Sequence, residues 1–301
     1  MKKLLLFLLC LACFDDSYSQ GAAAEIKRIG ALKKKSLDSN GWAHDGVFTF
    51  NANQAALSDW SSGGESFLIG INTIFNQSLH HRYGKYTWDN YLDIELGIVE
   101  AASFKKFRKT NDRCDITMEL EHELTKNHLN YGILFNLNTQ LFGGHNYYVD
   151  THPKTSGILS PGKILICAGL DYKRTGKSDF FSVFFAPITF RWVTKLEKDF
   201  YAKKLFGVDS AQKVYTEVGA YISFHYNRVF SKTVKYIGRL DLITNYKRNP
   251  QNVDLLWNNL FTFAISKKFA GTFLLDILYD DDVKRRVQIQ EITGIGLKFN
   301  L

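Results

Sequence analysis

The sequence predicts an all-β protein whose antiparallel strands, about 12 in number, close into a transmembrane β-barrel. In the segment from Leu129 to Leu141, apolar residues such as Tyr131 and Ile133 share one parity, while Gly132 and several asparagines hold the other. This alternation indicates a strand with one apolar and one polar face. The segment exceeds the roughly five or six residues of a soluble strand and reaches the ~10 that cross a bilayer obliquely. The pattern recurs along the chain, and in hydrocarbon such a sheet has to close because an open edge leaves backbone groups unsatisfied.

Successive segments repeat this alternation, so we expect residues 42–301 to form the barrel. The predicted strand cores are, in order, Val47 to Asn53, Phe67 to Asn76, Asp89 to Ile98, Asp115 to Leu124, Leu129 to Leu141, Ile164 to Tyr172, Phe181 to Trp192, Glu217 to Asn227, Tyr236 to Leu242, Phe261 to Ile265, Phe273 to Tyr279 and Ile295 to Leu301. The parity of the seventh changes between Phe185 and Ile188. Because Pro187 lacks a backbone N–H, the change predicts a β-bulge or a strand end there.

The links between these segments alternate in length. The even-numbered links are compact: HRYGK, KNH, KRTGKSD, VFSKT and the turn from Ser266 to Lys268. The odd-numbered links are longer: Gln54 to Glu65, Phe104 to Arg113, Gly143 to Pro161, Thr194 to Val214, Lys247 to Asp254 and Asp280 to Gln288. Membrane barrels keep short turns on the periplasmic side and long loops outside, whereas a soluble two-sheet fold has no reason to alternate them.

The N-terminus predicts export. Lys2 and Lys3 precede an apolar run that ends at Ala12, and Ser17 and Ser19 occupy the −3 and −1 positions of a cleavage after residue 19. This arrangement is typical of a secretory signal peptide, and the run is too short to span a bilayer. We expect residues 1–19 to be removed, residues 20–41 to form a basic periplasmic segment, and the mature chain to reside in the outer membrane.

Composition agrees with this placement. Aromatic residues make up 15% of the chain, and it contains only 4 Pro residues. This composition suits long strands with aromatic ends. The formal charge of +8 survives removal of the signal, since residues 1–19 carry two positive and two negative side chains. Cys114 and Cys167 lie on opposite parities of different strands, so a disulfide is not expected, and a lipid anchor at Cys13 is a less favoured alternative to cleavage. No cofactor, metal ion or nucleic acid is expected.

Several motifs resemble the DUF3078 family of Bacteroidetes-type bacteria, whose members are taken to be outer-membrane β-barrels. The resembling motifs are NANQAALSDWSSGGESF at Asn51 to Phe67, TWDN at Thr87 to Asn90, FRKTNDRCD at Phe107 to Asp115, SPG and LDYK between Ser160 and Lys173, NPQNVDLLW at Asn249 to Trp257, ILYDDDVK at Ile277 to Lys284 and the closing QEITGIGLKFNL. The resemblance implies an outer-membrane barrel. It supplies no reaction or ligand.

Acidic residues dominate the polar parity of the third and fourth predicted strands. The residues predicted to line the lumen are Asp89, Asp93, Glu95, Asp115, Glu119, Glu121, Glu123 and, on the ninth strand, Arg239. The ordinary interpretation is a solvated or internally paired wall, with Arg191, Arg239 and Lys298 as partners. The alternatives are a cation-selective pore lining, or an acidic wall that receives the basic segment from Glu25 to Lys35 as a plug.

Basic residues cluster in the predicted outer loops. Those expected to face lipopolysaccharide are Lys105, Lys106, Arg108, Lys109, Lys203, Lys204, Lys284, Arg285 and Arg286. Positive side chains are stabilised near a fixed anionic surface, although ordinary loop solubility is the simpler explanation of these residues.

Two functions follow as expectations. The first is a pore or transporter for small polar, cationic or lipid-like solutes. The second is a structural or interaction barrel of the cell envelope that binds lipopolysaccharide or a surface partner through its long loops. An enzyme is not expected, because His122 lies on the lipid-facing parity with no Ser placed beside it in the sequence. The expected partners are outer-membrane lipid, lipopolysaccharide and, during insertion, the barrel-assembly machinery.

Overall fold

A computed structural model describes residues 40–56, 66–125, 128–147, 150–265, 269–280 and 284–297. The predicted signal peptide, residues 20–39 of the predicted basic segment and Lys298 lie outside these residues. Within the described part, no helix is both long and apolar enough to cross a membrane. The one helical element there is a short 3-10 turn, Lys198–Phe200.

Fourteen strands make up the described fold. They are β1 (Gly41–Ala56), β2 (Phe67–Tyr83), β3 (Tyr86–Ala101), β4 (Phe104–Thr125), β5 (Leu129–Thr139), β6 (Gly144–His145), β7 (Lys154–Ser156), β8 (Gly162–Thr175), β9 (Asp179–Thr194), β10 (Val214–Val229), β11 (Val234–Asn245), β12 (Val253–Ala264), β13 (Phe269–Asp280) and β14 (Lys284–Leu297).

Twelve of these strands form one sheet in the order in which the chain visits them, and β6 pairs only with β7 in a small separate hairpin. Every adjacent pair in the large sheet is antiparallel. The predicted all-β antiparallel fold is therefore confirmed, and each predicted strand core overlaps one strand of this sheet. β1 and β14 stand at the two ends of the hydrogen-bonded order.

Two of the six long loops predicted from the sequence are wrong. β3 and β4 are joined by Ala102 and Ser103 alone, and β13 reaches Asp280, which pairs with Lys284 at the start of β14. Lys105, Lys106, Arg108, Lys109, Lys284, Arg285 and Arg286 therefore lie on strands rather than in loops. The physical reason is that a strand accepts a charged residue wherever the side chain meets water. A run of charged residues therefore does not by itself indicate a loop. The links 140–161, 195–213 and 246–252 are long, as predicted, and the predicted loop from Gln54 to Glu65 lies outside the described residues beyond Ala56.

The predicted irregularity at Pro187 is confirmed as a β-bulge in the middle of β9. The register of β9 shifts by one residue against β8, between Ala168 and Leu170, and against β10, between Gly219 and Tyr221. The carbonyl oxygen of Pro187 accepts a hydrogen bond from the hydroxyl of Tyr246, 2.9 Å away. The extra residue explains why the apolar residues of β9 change from odd-numbered to even-numbered positions here, although they stay on the same face of the sheet.

The two faces of the sheet have the reverse of the burial expected for a soluble protein. One face is buried and carries polar and charged residues, among them Asp115, Asn227 and Asn258, each at most 2% exposed. The opposite face exposes large apolar side chains, such as Trp88 and Trp257 at 41% and 42%. We call the first the polar face and the second the apolar face.

The polar face is concave. Arg191 on β9 reaches Asp254 on β12, with Nη2 and Oδ2 3.4 Å apart. Three strand spacings separate these strands by about 14 Å in a flat sheet. The sheet has to curl toward its polar face for the two side chains to meet, and in the described residues no second layer covers that face. The polar side chains are therefore buried by the sheet itself.

Candidate functional site

Two strands of the sheet, β4 and β8, bring acidic groups together on the polar face. Glu119 and Glu121 are two residues apart on β4, and Asp171 and Lys173 are two residues apart on β8. β5 runs between them, but it contributes Gly132 at this level, paired with Glu121 on one side and Gly169 on the other. Because Gly132 has no side chain, Glu121 and Lys173 meet across β5 at this position, between Asn130 and Leu134 on the same strand.

We call Glu119, Glu121, Asp171 and Lys173 the carboxylate cluster. The ammonium of Lys173 lies 2.6 Å from Glu121 Oε2 and 2.9 Å from Asp171 Oδ2. One oxygen from each of the three carboxylates falls within 4.8 Å of the others. Glu121 is 3% and Asp171 2% exposed, yet Glu121 Oε1 and Asp171 Oδ1 find no hydrogen-bond partner among the described residues. Three buried carboxylates carry more negative charge than one ammonium can neutralise.

Neighbouring strands add more charge around the cluster. Asp89 on β3 pairs in register with Glu119, and its Oδ1 lies 2.8 Å from Nδ1 of the buried His80. Glu123 is half-buried and bonds to Arg82, with Oε2 3.0 Å from Nη2. These contacts lie close to the compact links, so the densest negative charge of the polar face is near one end of the sheet. We call it the short-link end; its links are 84–85, 126–128, 176–178, 230–233 and 265–268.

The remaining predicted lumen residues of β3 and β4 also lie on the polar face, buried. Asp93 and Glu95 are each 3% exposed. Asp115 accepts hydrogen bonds from Arg113 Nη2 at 3.1 Å and Asn136 Nδ2 at 2.9 Å. Asp115 is thus hydrogen-bonded to neighbours on β4 and β5. The predicted partners Arg191 and Arg239 instead bond to Glu217, Asp254 and Asp241 on other strands.

Arg239, the predicted basic residue, belongs to a second network on β10 and β11. Its Nε lies 2.7 Å from Asp241 Oδ2, and its Nη2 donates to the Tyr221 hydroxyl at 2.9 Å. The Tyr221 hydroxyl donates in turn to Asp241 Oδ1 at 2.9 Å, and Ser223 also donates to that oxygen. We call Tyr221, Ser223, Arg239 and Asp241 the arginine network.

A Ser–His contact in this region has the wrong connectivity for a catalytic triad. Ser223 Oγ lies 2.8 Å from His225 Nε2, a pair that sequence reasoning overlooked although the two residues share one parity of β10. The carboxylate of Asp241 accepts from the serine, whereas in a triad the carboxylate orients the histidine and the serine gives its proton to the histidine. Ser223 is also buried, so the arrangement acts as a structural hydrogen-bond network.

Aromatic rings follow the apolar face along the short-link end. Tyr86 packs edge-on against His122 at 4.5 Å between ring centroids, and His122 stacks on Tyr131 at 5.1 Å. Further contacts of the same band are Trp42 with His81 at 4.1 Å, Tyr226 with Tyr236 at 6.2 Å, Tyr236 with Phe261 at 4.8 Å, and Phe261 with Phe273 at 6.2 Å. This aromatic band therefore occupies β1 to β5 and β10 to β13 near the short-link end of the sheet.

The predicted lipopolysaccharide-facing residues fall into two kinds of place. Lys106 and Arg286 are exposed on strands, and Lys203 and Lys204 are exposed in the 195–213 link. The Lys204 ammonium lies 2.8 Å from Asp209 and holds the pKa of that carboxyl below its ordinary value, so part of this positive charge is already paired.

Arg108 and Lys109 instead hold the 140–147 segment against β4. The Arg108 guanidinium lies 3.6 Å above the ring of Phe104 and 4.8 Å from that of Tyr147. Lys109 Nζ donates to Asp112 Oδ2 at 3.0 Å and to the carbonyl oxygen of Phe142 at 2.8 Å. Both side chains are half-buried, so the structure uses them for internal contacts.

The links 140–161 and 195–213 are bound to one another at the opposite end of the sheet. Ser160, which is fully buried, accepts hydrogen bonds at 2.8 Å from the backbone N–H groups of Leu196 and Glu197. Lys154 forms an ion pair with Glu197 at 2.8 Å. The buried Lys195 donates to the carbonyl oxygens of Lys203 and Asp209. We call these two links the loop pair.

Replacing Ser160 with Ala is expected to loosen the loop pair. The change removes the acceptor of two backbone N–H groups and costs about 1–3 kcal/mol. Trypsin cleavage after Lys203 and Lys204, followed by mass spectrometry on the folded protein, should accelerate roughly tenfold as the loop opens more often. Ser210→Ala is the control: Ser210 is exposed in the 195–213 link that trypsin cleaves, and its replacement should leave the rate unchanged. Equal rates for Ser160→Ala and the native chain would contradict the assignment.

Asp171, Lys173 and Gly132 are the site residues that sequence reasoning missed. The signal was present, since Asp171 and Lys173 alternate with the apolar Ile166, Ala168 and Leu170, and that parity assigns them to the polar face. What the parity did not reveal is that they meet β4 across β5.

The resemblance to DUF3078 is confirmed over part of the chain: the family described as "Protein of unknown function (DUF3078)" matches residues 52–145. That range covers β2 to β5 and the acidic strands. Among curated proteins, none matches the chain.

Solved structures of outer-membrane proteins are similar at low identity. The NanC porin aligns with a TM-score of 0.41 and 8% identity over 85% of this chain and 100% of its own. An outer membrane channel from Pseudomonas putida F1 aligns with a TM-score of 0.42 and 11% identity over 89% of this chain and 99% of its own. The β domain of the Bordetella autotransporter BrkA aligns with a TM-score of 0.35 and 8% identity over 87% and 99%. Scores and identities this low say nothing about a shared activity.

Proposed function

We propose that this chain is an outer-membrane β-barrel whose polar interior passes small polar or cationic solutes, or lipid-like ones. The proposal rests on one observation above all: the sheet buries its polar face and exposes its apolar face. In water such a protein is under-stabilised, because burial of apolar surface is the main favourable contribution to folding. In a bilayer the same distribution places apolar side chains in hydrocarbon and polar ones in the interior.

Closure of the sheet is part of the proposal. Contacts between non-adjacent strands, such as Arg191 with Asp254 and Lys173 with Glu121, support a curled sheet whose polar face surrounds an interior. A membrane leaves no alternative to closure, since the unpaired edges of β1 and β14 would expose backbone groups to hydrocarbon. The order β1 to β14 is that of an up-and-down barrel, in which the first and last strands meet.

Strand length and the aromatic band support the same placement. The strands of the large sheet run from 11 to 22 residues, which covers the ~10 needed to cross a bilayer at a tilt. Aromatic side chains gather at membrane–water interfaces in barrels of this class. A band of rings at the short-link end therefore fits the periplasmic interface of the outer membrane, with the loop pair on the outer side.

Contact of the apolar face with lipid is testable through the intrinsic tryptophans. In vesicles that contain phospholipids brominated on their acyl chains, the emission of Trp88 and Trp257 is expected to fall strongly, because both rings are exposed on the apolar face. Iodide in the aqueous phase should quench them little. The variant in which Trp42, Trp88, Trp192 and Trp257 are all replaced by Phe is the control and should lose most of the bromine effect, because each of these rings lies on the apolar face. Strong iodide quenching with no bromine effect would overturn the proposal.

Passage of solutes is tested by single-channel recording in planar bilayers. An open interior should give stable current steps, and the excess of carboxylates over cations in the carboxylate cluster should favour cations over anions in the reversal potential. The Glu119→Gln and Glu121→Gln double variant should lose that preference while conductance persists. An anion preference in the native chain would contradict the proposed lining.

The second candidate is a structural or interaction barrel that binds lipopolysaccharide or a surface partner. Two observations favour it: the loop pair is folded and hydrogen-bonded at the long-link end, and many interior polar groups are buried and bonded to one another. A barrel that inserts into lipid but stays electrically silent would support this candidate over the pore.

A further inference from the structure

We propose that the carboxylate cluster binds one divalent cation of the oxygen-preferring kind, Ca²⁺ or Mg²⁺. Such a resident ion is compatible with a conducting interior and with a closed one. Its donors would be oxygens of Glu119, Glu121 and Asp171, with Lys173 as the competing internal cation.

Charge within the cluster is unbalanced. Asp89, Glu119, Glu121 and Asp171 supply four neighbouring carboxylates on the polar face, and among the described residues Lys173 supplies the one ammonium bonded to this set. His80, on the far side of Asp89, adds charge only when it is protonated. Like charges at this separation repel strongly in a buried site unless a cation lies between them.

Two buried oxygens of the cluster lack hydrogen bonds. Lys173 occupies one oxygen of Glu121 and one of Asp171, and the second oxygen of each carboxylate has no donor in the part of the chain that the structure describes. Both side chains are more than nine-tenths buried, so bulk water does not compensate them. An orphaned carboxylate oxygen in such a position costs several kcal/mol in general, which a metal ion or a proton removes.

The type of donor selects the type of ion. The set contains carboxylate oxygens only, with no sulfur or imidazole nitrogen within it. Carboxylates select hard cations, and Ca²⁺ tolerates irregular geometry while Mg²⁺ demands an octahedron and retains waters. Ligand oxygens within 4.8 Å of one another are compatible with a shared ion at ~2.0–2.6 Å from each.

Gly132 provides space for the cluster. It presents no side chain on β5, the strand that lies between β4 and β8. A Cβ at residue 132 would lie 3.1 Å from Cγ of Glu121 and 3.0 Å from the carbonyl oxygen of Leu120. The glycine therefore leaves the Glu121 side chain free to lean toward Asp171.

Equilibrium dialysis tests the site. The full mature chain in detergent is dialysed against radioactive Ca²⁺, and in a separate experiment Mg²⁺ is added as a competitor. The native chain should bind one ion saturably. The Glu121→Gln and Asp171→Asn double variant should bind at least about tenfold more weakly. Lys173→Met should bind about tenfold more tightly, because it removes a positive charge beside the ion. A gain in affinity cannot arise from misfolding, so this variant keeps the test decisive.

Glu217→Gln is the matched control. Glu217 is a buried carboxylate of the polar face bonded to Arg191, away from the cluster, and its replacement should leave binding unchanged. The proposal is overturned if the native chain binds neither ion, or if the double variant binds as tightly as the native chain. In that case Glu121 and Asp171 share a proton between their unbonded oxygens instead. Neither of those results alters the tryptophan quenching that tests membrane insertion.

Discussion

Replacing Asp241 with Ala is expected to lower the free energy of unfolding by about 3 kcal/mol or more. The carboxylate accepts hydrogen bonds from Arg239, Tyr221 and Ser223, and both members of the ion pair are buried. Breaking a buried pair by removing one partner leaves the other charge without its main compensation, which typically costs about 3–5 kcal/mol. Urea unfolding in phospholipid vesicles, followed by tryptophan fluorescence, measures the loss.

The apolar double variant Arg239→Met and Asp241→Leu separates charge from packing. A buried ion pair replaced by apolar groups of similar volume is often close to neutral. We therefore expect the double variant to recover much of the stability that Asp241→Ala loses. A single-variant loss below about 1 kcal/mol would mean that water reaches the polar face at Asp241 and screens the ion pair.

Gly219→Ala is expected to destabilise the sheet by a similar amount, through the backbone rather than through charge. A Cβ at residue 219 would overlap the carbonyl oxygen of Thr244 on β11, and a Cβ at residue 169 on β8 would overlap that of Phe185 on β9. Both glycines flank the bulge at Pro187. Because a backbone atom cannot rotate away as a side chain can, we expect a loss of about 3 kcal/mol for each substitution.

Gly143→Ala is the control for the glycine substitutions. A Cβ there would lie nearest Lys154 Cε, at 3.2 Å, and the end of a flexible side chain moves at little cost. Urea midpoints of the three variants should therefore separate Gly169 and Gly219 from Gly143. If all three midpoints agree, the bulge relaxes around an added methyl group and the close approach has no energetic role.

Alternation made much of the polar face predictable. Asp93, Glu95 and Asp115 were assigned to one face from parity alone, because successive side chains of a strand point to opposite sides. Pro187 was identified as a break in the pattern for an equally local reason. The ends of strands were less predictable: the charged residues after Phe104 continue β4 through Arg108 and Lys109, because a strand whose sides meet water or a folded link accepts charge.

The sequence by itself determined which side chains share a face and in what order the strands pair, since both follow from a two-residue period and short antiparallel links. Only the tertiary structure decided which residues of that face meet. Glu121 reaches Lys173 across Gly132, and Arg191 reaches Asp254 across two intervening strands, because the sheet curls toward its polar side. Curl depends on the summed twist and bulges of many strands, and no local pattern of residues encodes it.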